Sequence, residues 1–252
     1  MIAEVPSRGL AFRGLVKRFG SKEVLAGVDL TIEPGSVQFV IGISGAGKSV
    51  LMKHVVGLIR ADDGRIYFEG EDITDFQEHQ FYGVRRRCSY VFQHSTLLDA
   101  LDILDNVALP IQQRFEVDLP AARLRAAQEL ERLHLGPWAR RFPSELGAGL
   151  KKRAAIARSI ALEPSYLIYD EPTTGLDPVG ARLVDRLILE LRDRGVTQIV
   201  VSHDLTSILG VADRIAMLHS GRVHFVGTPA AIRACADPVV QQFVDGSPEG
   251  PL

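Results

Sequence analysis

The sequence predicts an α/β fold, a mostly parallel sheet carrying helices on both faces, in one domain spanning residues 1–252. Three observations predict it. Short β-like runs alternate with helical patterns along the chain. Several of those runs are almost continuously apolar, as strands buried on both faces are. No linker rich in Ser or Pro, and no repeat period, divides the 252 residues.

The strand candidates are residues 37–41, 65–68, 88–92, 166–169 and 196–201, and a helical run over 50–59 follows the first of them. Between the third and fourth strands, residues 94–162 read as helices and loops, a helical insertion. Within it a helix over 121–135 is expected to turn Leu124, Leu130 and Leu133 inward. A further helix is expected over 150–162. Asp177 followed by Pro178 caps a helix that Gly195 can close, and Thr228 with Pro229 and Asp237 with Pro238 repeat the device. Near the end, His219-Ser220-Gly221-Arg222 separates two short runs as a hairpin would.

Composition narrows the function. With 29 Lys+Arg against 31 Asp+Glu, the formal net charge is −2, which argues against a dedicated nucleic-acid binder with its basic excess. At 46% hydrophobic and 24% charged residues the chain can bury a sizeable core, and disorder is excluded. Cys88 and Cys235 lie far apart without CxxC or Cys/His spacing, so neither a disulfide framework nor a zinc site is suggested, and a reducing, cytosolic compartment fits. No apolar stretch approaches the roughly 20 residues of a membrane span. The opening residues 1–10 carry Glu4, Pro6 and Arg8 in place of a signal-peptide core. Any membrane role is therefore expected to be peripheral. The histidines at 54, 79, 94, 134, 219 and 224 share no metal spacing, and Arg85-Arg86-Arg87 reads as a solvated face.

The most specific signal is Gly42-Ile43-Ser44-Gly45-Ala46-Gly47-Lys48-Ser49, which follows the strand candidate 37–41 and precedes the helical run that opens at Val50. It matches GxxxxGK[ST] in the strand-loop-helix context that this phosphate loop requires. Glycines let backbone N–H groups turn inward as an anion nest, and the following helix adds its positive dipole end. Lys48 is placed to reach the β- and γ-phosphates, and the Ser49 hydroxyl to ligate Mg²⁺. With Gly at about 7%, Lys near 6% and Ser/Thr near 12%, chance gives such a match in roughly 1% of chains this long. A second element, Leu167-Ile168-Tyr169-Asp170-Glu171, is an apolar strand ending in two carboxylates. Asp170 could hold Mg²⁺ through water, and Glu171 could polarise the attacking water. Alone, such a strand end is as often a solvated loop; behind a phosphate loop it reads as catalytic.

With both elements in view, the chain resembles the nucleotide-binding subunits of ATP-binding cassette (ABC) transporters, from about Gly9 to Gly227. The resemblance implies a P-loop NTPase core of RecA-like type, an N-terminal antiparallel β subdomain and an inserted helical subdomain over about 94–162. It also implies ATP and Mg²⁺ as cofactors. Phe19, in Val16-Lys17-Arg18-Phe19-Gly20, matches the aromatic that stacks on adenine; the alternative for it is a core aromatic. Gln93, in Tyr90-Val91-Phe92-Gln93, matches the glutamine that couples Mg²⁺ and water to the membrane partner. Thr174-Gly175-Leu176-Asp177 matches the loop that touches the opposing subunit, and His203 the histidine at the γ-phosphate. On this resemblance the nucleotide is held by Phe19, Gly42, Ser44, Gly45, Ala46, Gly47, Lys48, Ser49 and Val50. Gly147, Ala148, Gly149 and Asp177 come from the opposite copy of a homodimer. Glu171, His203, Lys48 and Gln93 are the catalytic set, and Ser49, Gln93 and Asp170 hold the metal.

One segment departs from the family pattern. Where the family has LSGGQ, this chain reads Leu146-Gly147-Ala148-Gly149-Leu150. Gly147 stands in place of the serine whose hydroxyl would contact the γ-phosphate across the dimer, and Ala148 in place of a closely approached glycine. Losing a hydrogen bond to a charged group costs about 1.5–3 kcal/mol, or roughly 10- to 150-fold in an equilibrium or rate constant. Weakened dimerisation is expected, with turnover reduced and not abolished.

Within the family, several stretches resemble the ATPases of Mla-type phospholipid transporters, which work with MCE proteins. They are Val84-Arg85-Arg86-Arg87-Cys88-Ser89-Tyr90-Val91-Phe92-Gln93, Pro143-Ser144-Glu145-Leu146, Ala161-Leu162-Glu163-Pro164, and the tail from Asp237-Pro238 through Phe243 to Gly246 with Gly250-Pro251. This likeness implies a complex on the cytoplasmic face of the bacterial inner membrane. Its other members are an MlaE-like integral membrane permease, an MCE-domain protein and, in some systems, a small STAS-domain subunit. Residues 95–111 match the region that receives a coupling helix of the permease. Of Leu97, Leu98, Leu101, Ile103 and Leu104, the subdomain's own core is expected to claim most, with a few left for the partner. The rival functions are an ATP-binding assembly module in which hydrolysis is incidental, an ABC ATPase for another cargo, and a cassette protein of the DNA-repair or translation type. That last kind usually carries two cassettes or a long coiled-coil insertion.

Overall fold

The computed structural model describes residues 7–252. Residues 1–6, which include Glu4 and Pro6 of the opening segment, lie outside them. The chain runs β1 (Leu10–Phe19), β2 (Lys22–Ile32), β3 (Val37–Ile41), α1 (Lys48–Val55), β4 (Asp63–Phe68), β5 (Glu71–Asp72), α2 (Phe81–Arg87) and β6 (Cys88–Val91). Then come α3 (Ile103–Phe115), α4 (Leu119–Arg132), α5 (Ala148–Ile160), β7 (Tyr166–Asp170), α6 (Pro178–Asp193) and β8 (Thr197–Val201). The last elements are α7 (Leu205–Val211), β9 (Arg214–His219), β10 (Arg222–Gly227), α8 (Pro229–Arg233) and α9 (Pro238–Asp245). No helix among the described residues is long and apolar enough to cross a membrane.

Two sheets organise these elements. The larger has the order β10-β9-β3-β8-β7-β6. All its pairs are parallel except β9 with β10, the hairpin expected at Ser220-Gly221. The smaller, β2-β1-β4-β5, is antiparallel. Alternate residues of the central strands face two separate cores, which explains why these strands read as unbroken apolar runs. Phe39, Ile41, Leu167, Tyr169, Val200 and Met217 pack with α3 to α6 on one face. Val40, Ile168, Ile199, Val201 and Ala216 pack with α1 and the antiparallel sheet on the other.

The sequence pattern did not reveal β1 and β2, and their register shows why. The pairing shifts between Phe12 and Leu15, again between Leu15 and Val16, and again between Lys17 and Arg18. Each irregularity breaks the alternation of two that marks a strand. Several boundaries also move. The helix expected over 50–59 is Lys48–Val55, and Gly57, at φ 70°, turns the chain where any Cβ would press into the Phe81 ring. The helix expected over 121–135 is Leu119–Arg132, capped by Asp118. Its buried stripe is Ala122, Ala126 and Leu130, with Leu133 buried just beyond. Leu124 points outward, 65% exposed, because two residues past Ala122 is about 200° round the helix. The helix expected over 150–162 begins at Ala148, and β6 ends at Val91, leaving Phe92 just past the strand. The capped starts at Asp177, Thr228 and Asp237 are as expected, each carboxylate or hydroxyl accepting from the first turn.

Candidate functional site

Because β3, β6, β7 and β8 are parallel neighbours, their carboxyl ends open on one edge of the sheet, the place where open α/β sheets bind ligands. β3 delivers the loop Gly42–Ser49, β7 delivers Asp170 and Glu171, β8 delivers His203, and β6 delivers Gln93. The loop keeps its shape through glycines that nothing larger could replace. At Gly42, φ 142°, a Cβ would collide with the Leu218 carbonyl oxygen. At Gly47, φ 95°, it would come within 2.9 Å of Leu25 and 3.0 Å of the Val24 carbonyl.

A cavity of about 370 Å³ lies over this loop, lined by Ser44, Gly45, Gly47, Lys48, Ser49 and Val50 together with Val24, Gln93 and Glu171. Lys48 is buried, and its ammonium donates to the Gly42 and Ile43 carbonyls at 2.8 and 2.9 Å. Burial pulls its pKa down, while Glu171 and Asp170 pull it back up. The Ser49 hydroxyl donates to Asp170 Oδ1 at 2.7 Å, and the Tyr90 hydroxyl to Asp170 Oδ2 at 3.2 Å. Tyr90 is pushed well above the usual phenol range by burial and by that carboxylate, so it stays a donor. Asp170 is only 3% exposed; its two oxygens are thus held by neighbours on either side.

Glu171 sits one step beyond the strand. Its N–H bonds the Val201 carbonyl at 2.9 Å, and its φ of 55° puts a non-glycine residue in the left-handed region, a strained conformation that needs outside support. Its Oε2 lies 2.9 Å from His203 Nδ1 and accepts from the Thr174 hydroxyl at 3.1 Å. Asp170 pairs with Val201 in register, which is why residues so far apart in sequence as Glu171 and His203 meet.

Other expected residues stand apart from this cavity. Phe19 is 49% exposed at the end of β1, with the Lys17 ammonium 5.3 Å from its ring centroid; it is not a core aromatic. The next strand, β2, supplies Val24 to the cavity wall, a residue the sequence did not single out. Gly147 is the N-cap of α5 and has no side-chain cap, with Ala148 and Gly149 opening the helix. A Cβ on Gly149 would lie 3.3 Å from Leu176 and 3.6 Å from the Gly175 carbonyl, so this loop packs on the Thr174–Asp177 turn. Asp177 accepts from Gly180 N at 2.6 Å as the cap of α6. In the sequence Tyr90 and Thr174 stand only as parts of matching segments, and Lys152 has no role; Tyr90 and Lys152 act through partners distant along the chain, and Thr174 through a local contact with Glu171. Of the apolar residues singled out at 95–111, Ile103 and Leu104 are buried, and Leu97 packs on the core. Leu98 is 48% exposed, while its backbone is clamped by the buried Asn106 amide at 2.7 and 3.0 Å.

The chain is similar to known proteins over nearly all its length. The ABC transporter family profile matches residues 25–174. The Escherichia coli (strain K12) intermembrane phospholipid transport system ATP-binding protein MlaF is 37% identical over 92% of this chain and 87% of its own. The Rhizobium johnstonii methionine import ATP-binding protein MetN is 40% identical over 82% of this chain and 57% of its own length. Among solved structures, the dimeric post-hydrolysis state of the cassette MJ0796 bound to ADP and Pi superposes with a TM-score of 0.83 at 28% identity, covering 87% of this chain and 98% of that one. A phosphate loop, a carboxylate pair and a strand-end histidine at one sheet edge agree with these likenesses, and the chain belongs to the ABC transporter family as one of its ATPases.

Proposed function

We propose that this ATPase powers phospholipid movement as the nucleotide-binding subunit of an Mla/MCE-type transporter, peripheral on the cytoplasmic face of the bacterial inner membrane. The observation that carries the reading is the likeness to MlaF across 92% of this chain. Two copies would enclose two ATP molecules, with an MlaE-like permease, an MCE-domain protein and, in some systems, a STAS-domain subunit as the remaining partners.

In each site the loop amides from Gly42 to Ser49 and the start of α1 at Val50 would cradle the phosphates. Phe19 would stack on adenine, and the Lys48 ammonium would leave its two carbonyls for the β- and γ-phosphates. Mg²⁺ suits the donor set: a hydroxyl and a carboxylate, both hard oxygens, already meet at Ser49 and Asp170, and Gln93 lines the same cavity. What Mg²⁺ supplies when bound is neutralisation of charge on the phosphate oxygens. Glu171 would orient the attacking water and accept its proton. Glu171 would also keep the His203 ring turned towards the site, its Oε2 lying 2.9 Å from Nδ1. The other ring nitrogen, Nε2, would then be left to face the γ-phosphate. Gly147, Ala148, Gly149 and Asp177 would reach the other copy's nucleotide.

Leu98, exposed above a clamped backbone, is read as part of the surface that takes the permease. Leu98→Asp is expected to leave ATP binding by the isolated chain unchanged and to abolish co-purification with the permease. Loss of folding in that variant would return Leu98 to the subdomain core. The cargo is tested by reconstituting the chain with the membrane proteins encoded beside it in vesicles carrying labelled phospholipid. ATP-dependent phospholipid transfer is the expected result; ATP-dependent uptake of a small solute such as methionine, without lipid transfer, contradicts it. The assembly-module reading is favoured by Gly147 and Ala148, and predicts that hydrolysis can be removed without loss of cellular function.

A further inference from the structure

Lys152 is the buried cation that the reaction described above does not use. It lies on α5, is 5% exposed, and has no carboxylate within ion-pairing distance among the described residues. Its ammonium instead donates to two backbone carbonyls from different elements: that of Gln93, in a short contact, and that of Glu171 at 3.1 Å. Burial lowers its pKa, and the fields of Asp170 and Glu171 oppose that.

Both carbonyls belong to residues placed in the reaction. Glu171 is held in its left-handed conformation from two sides, by its N–H on the Val201 carbonyl and by its own carbonyl on Lys152. Freed of the second tie, a non-glycine residue at φ 55° would relax toward an ordinary region and take its carboxylate off the line to the water. Gln93 has left its strand, since β6 ends at Val91. The contact with Lys152 therefore fixes the turn that brings it to the cavity wall. Lys152 also lies five residues after Gly147, about 7.5 Å along one rigid helix at 1.5 Å per residue. One helix thus presents the altered loop at its tip and holds two active-site backbones lower down its length.

We propose that Lys152 is a positioning residue for ATP hydrolysis, bridging the backbone of Gln93 and the backbone of Glu171 so that the two side chains meet the same nucleotide. It does not touch the substrate. The inference rests on the hydrolytic reading of Glu171 given above.

The test is steady-state hydrolysis by the full chain carrying Lys152→Met or Lys152→Gln, beside wild type, with ATP affinity measured separately by titration. Methionine keeps the length of the arm and removes every donor. The loss of a charged donor predicts a kcat about 10- to 100-fold lower, with KM and ATP affinity within about twofold of wild type. Glutamine, whose shorter arm carries N–H donors that can serve one carbonyl at a time, is expected about 3- to 10-fold below wild type. Wild-type kcat in the methionine variant, or a fall in ATP affinity that accounts for the whole loss, overturns the proposal. If the methionine variant does not fold, the glutamine variant decides alone: a 3- to 10-fold lower kcat at unchanged KM supports the bridge, and wild-type kcat overturns it. Absence of hydrolysis in the wild-type chain would instead remove the reading of Glu171 on which the bridge depends.

Discussion

Glu171→Gln is expected to lower Mg²⁺-ATP hydrolysis by about 10²- to 10⁴-fold, the usual contribution of a positioned general base, while ATP binding persists. The amide is nearly isosteric, so the turn held by Val201 and Lys152 stays in place. What changes is proton affinity: a neutral amide cannot take a proton from water. It also removes the negative charge that lies 2.9 Å from His203 Nδ1, so the electrostatic hold on that ring is lost. With hydrolysis blocked, ATP should trap the paired state, so the variant is expected to dimerise on adding ATP. Size-exclusion chromatography with and without ATP reads that, and phosphate release reads the rate. Residual hydrolysis within a few-fold of wild type would show that Glu171 is not the base. Unchanged cellular function in a variant that no longer hydrolyses ATP would favour the assembly module.

Gly147→Ser, in an Ala148→Gly background, is expected to raise hydrolysis by about 10- to 150-fold, the inverse of what losing a hydrogen bond to a charged group costs. The backbone is ready for it. Gly147 sits at φ −67° and ψ 161°, ordinary for any residue, and nothing lies within 4 Å of where its Cβ would stand. As N-cap of α5 the new hydroxyl could accept from a first-turn N–H while its own proton points at a phosphate of the opposite copy. Capping alone would add only a few tenths of a kcal/mol over glycine, so a large rate effect cannot be mistaken for a stability effect. Thermal denaturation beside the rate measurement separates them. An unchanged rate with a slightly raised Tm would mean that this loop does not meet the γ-phosphate.

The sequence made the chemistry legible earlier than the architecture. Gly42 to Ser49 and Asp170-Glu171 are contiguous, and their spacing is dictated by phosphate geometry, so the residues announce the function locally. The central strands were equally plain, because burial on both faces leaves an unbroken apolar run. The β1-β2 pair was hidden by register shifts around Leu15 and Val16, which no periodicity survives. Leu124 defies its residue type because the small residues Ala122 and Ala126, with Leu130, define the buried stripe of the helix and leave the leucine on the opposite side. The individual roles of Tyr90 and Lys152 were invisible for another reason: each matters only through a tertiary contact, with Asp170 and the Gln93 carbonyl respectively.

The dimeric hydrolytic cassette is tested most directly by the initial rate of Mg²⁺-ATP hydrolysis as a function of the concentration of this chain. If two copies must close on the nucleotide, with Gly147 and Asp177 of one facing the phosphates held by Lys48 of the other, the rate per molecule rises with concentration. The total then grows as about the square while the dimer is scarce. A rate strictly proportional to concentration over the whole range would mean that one copy hydrolyses alone, and would contradict the two-copy site.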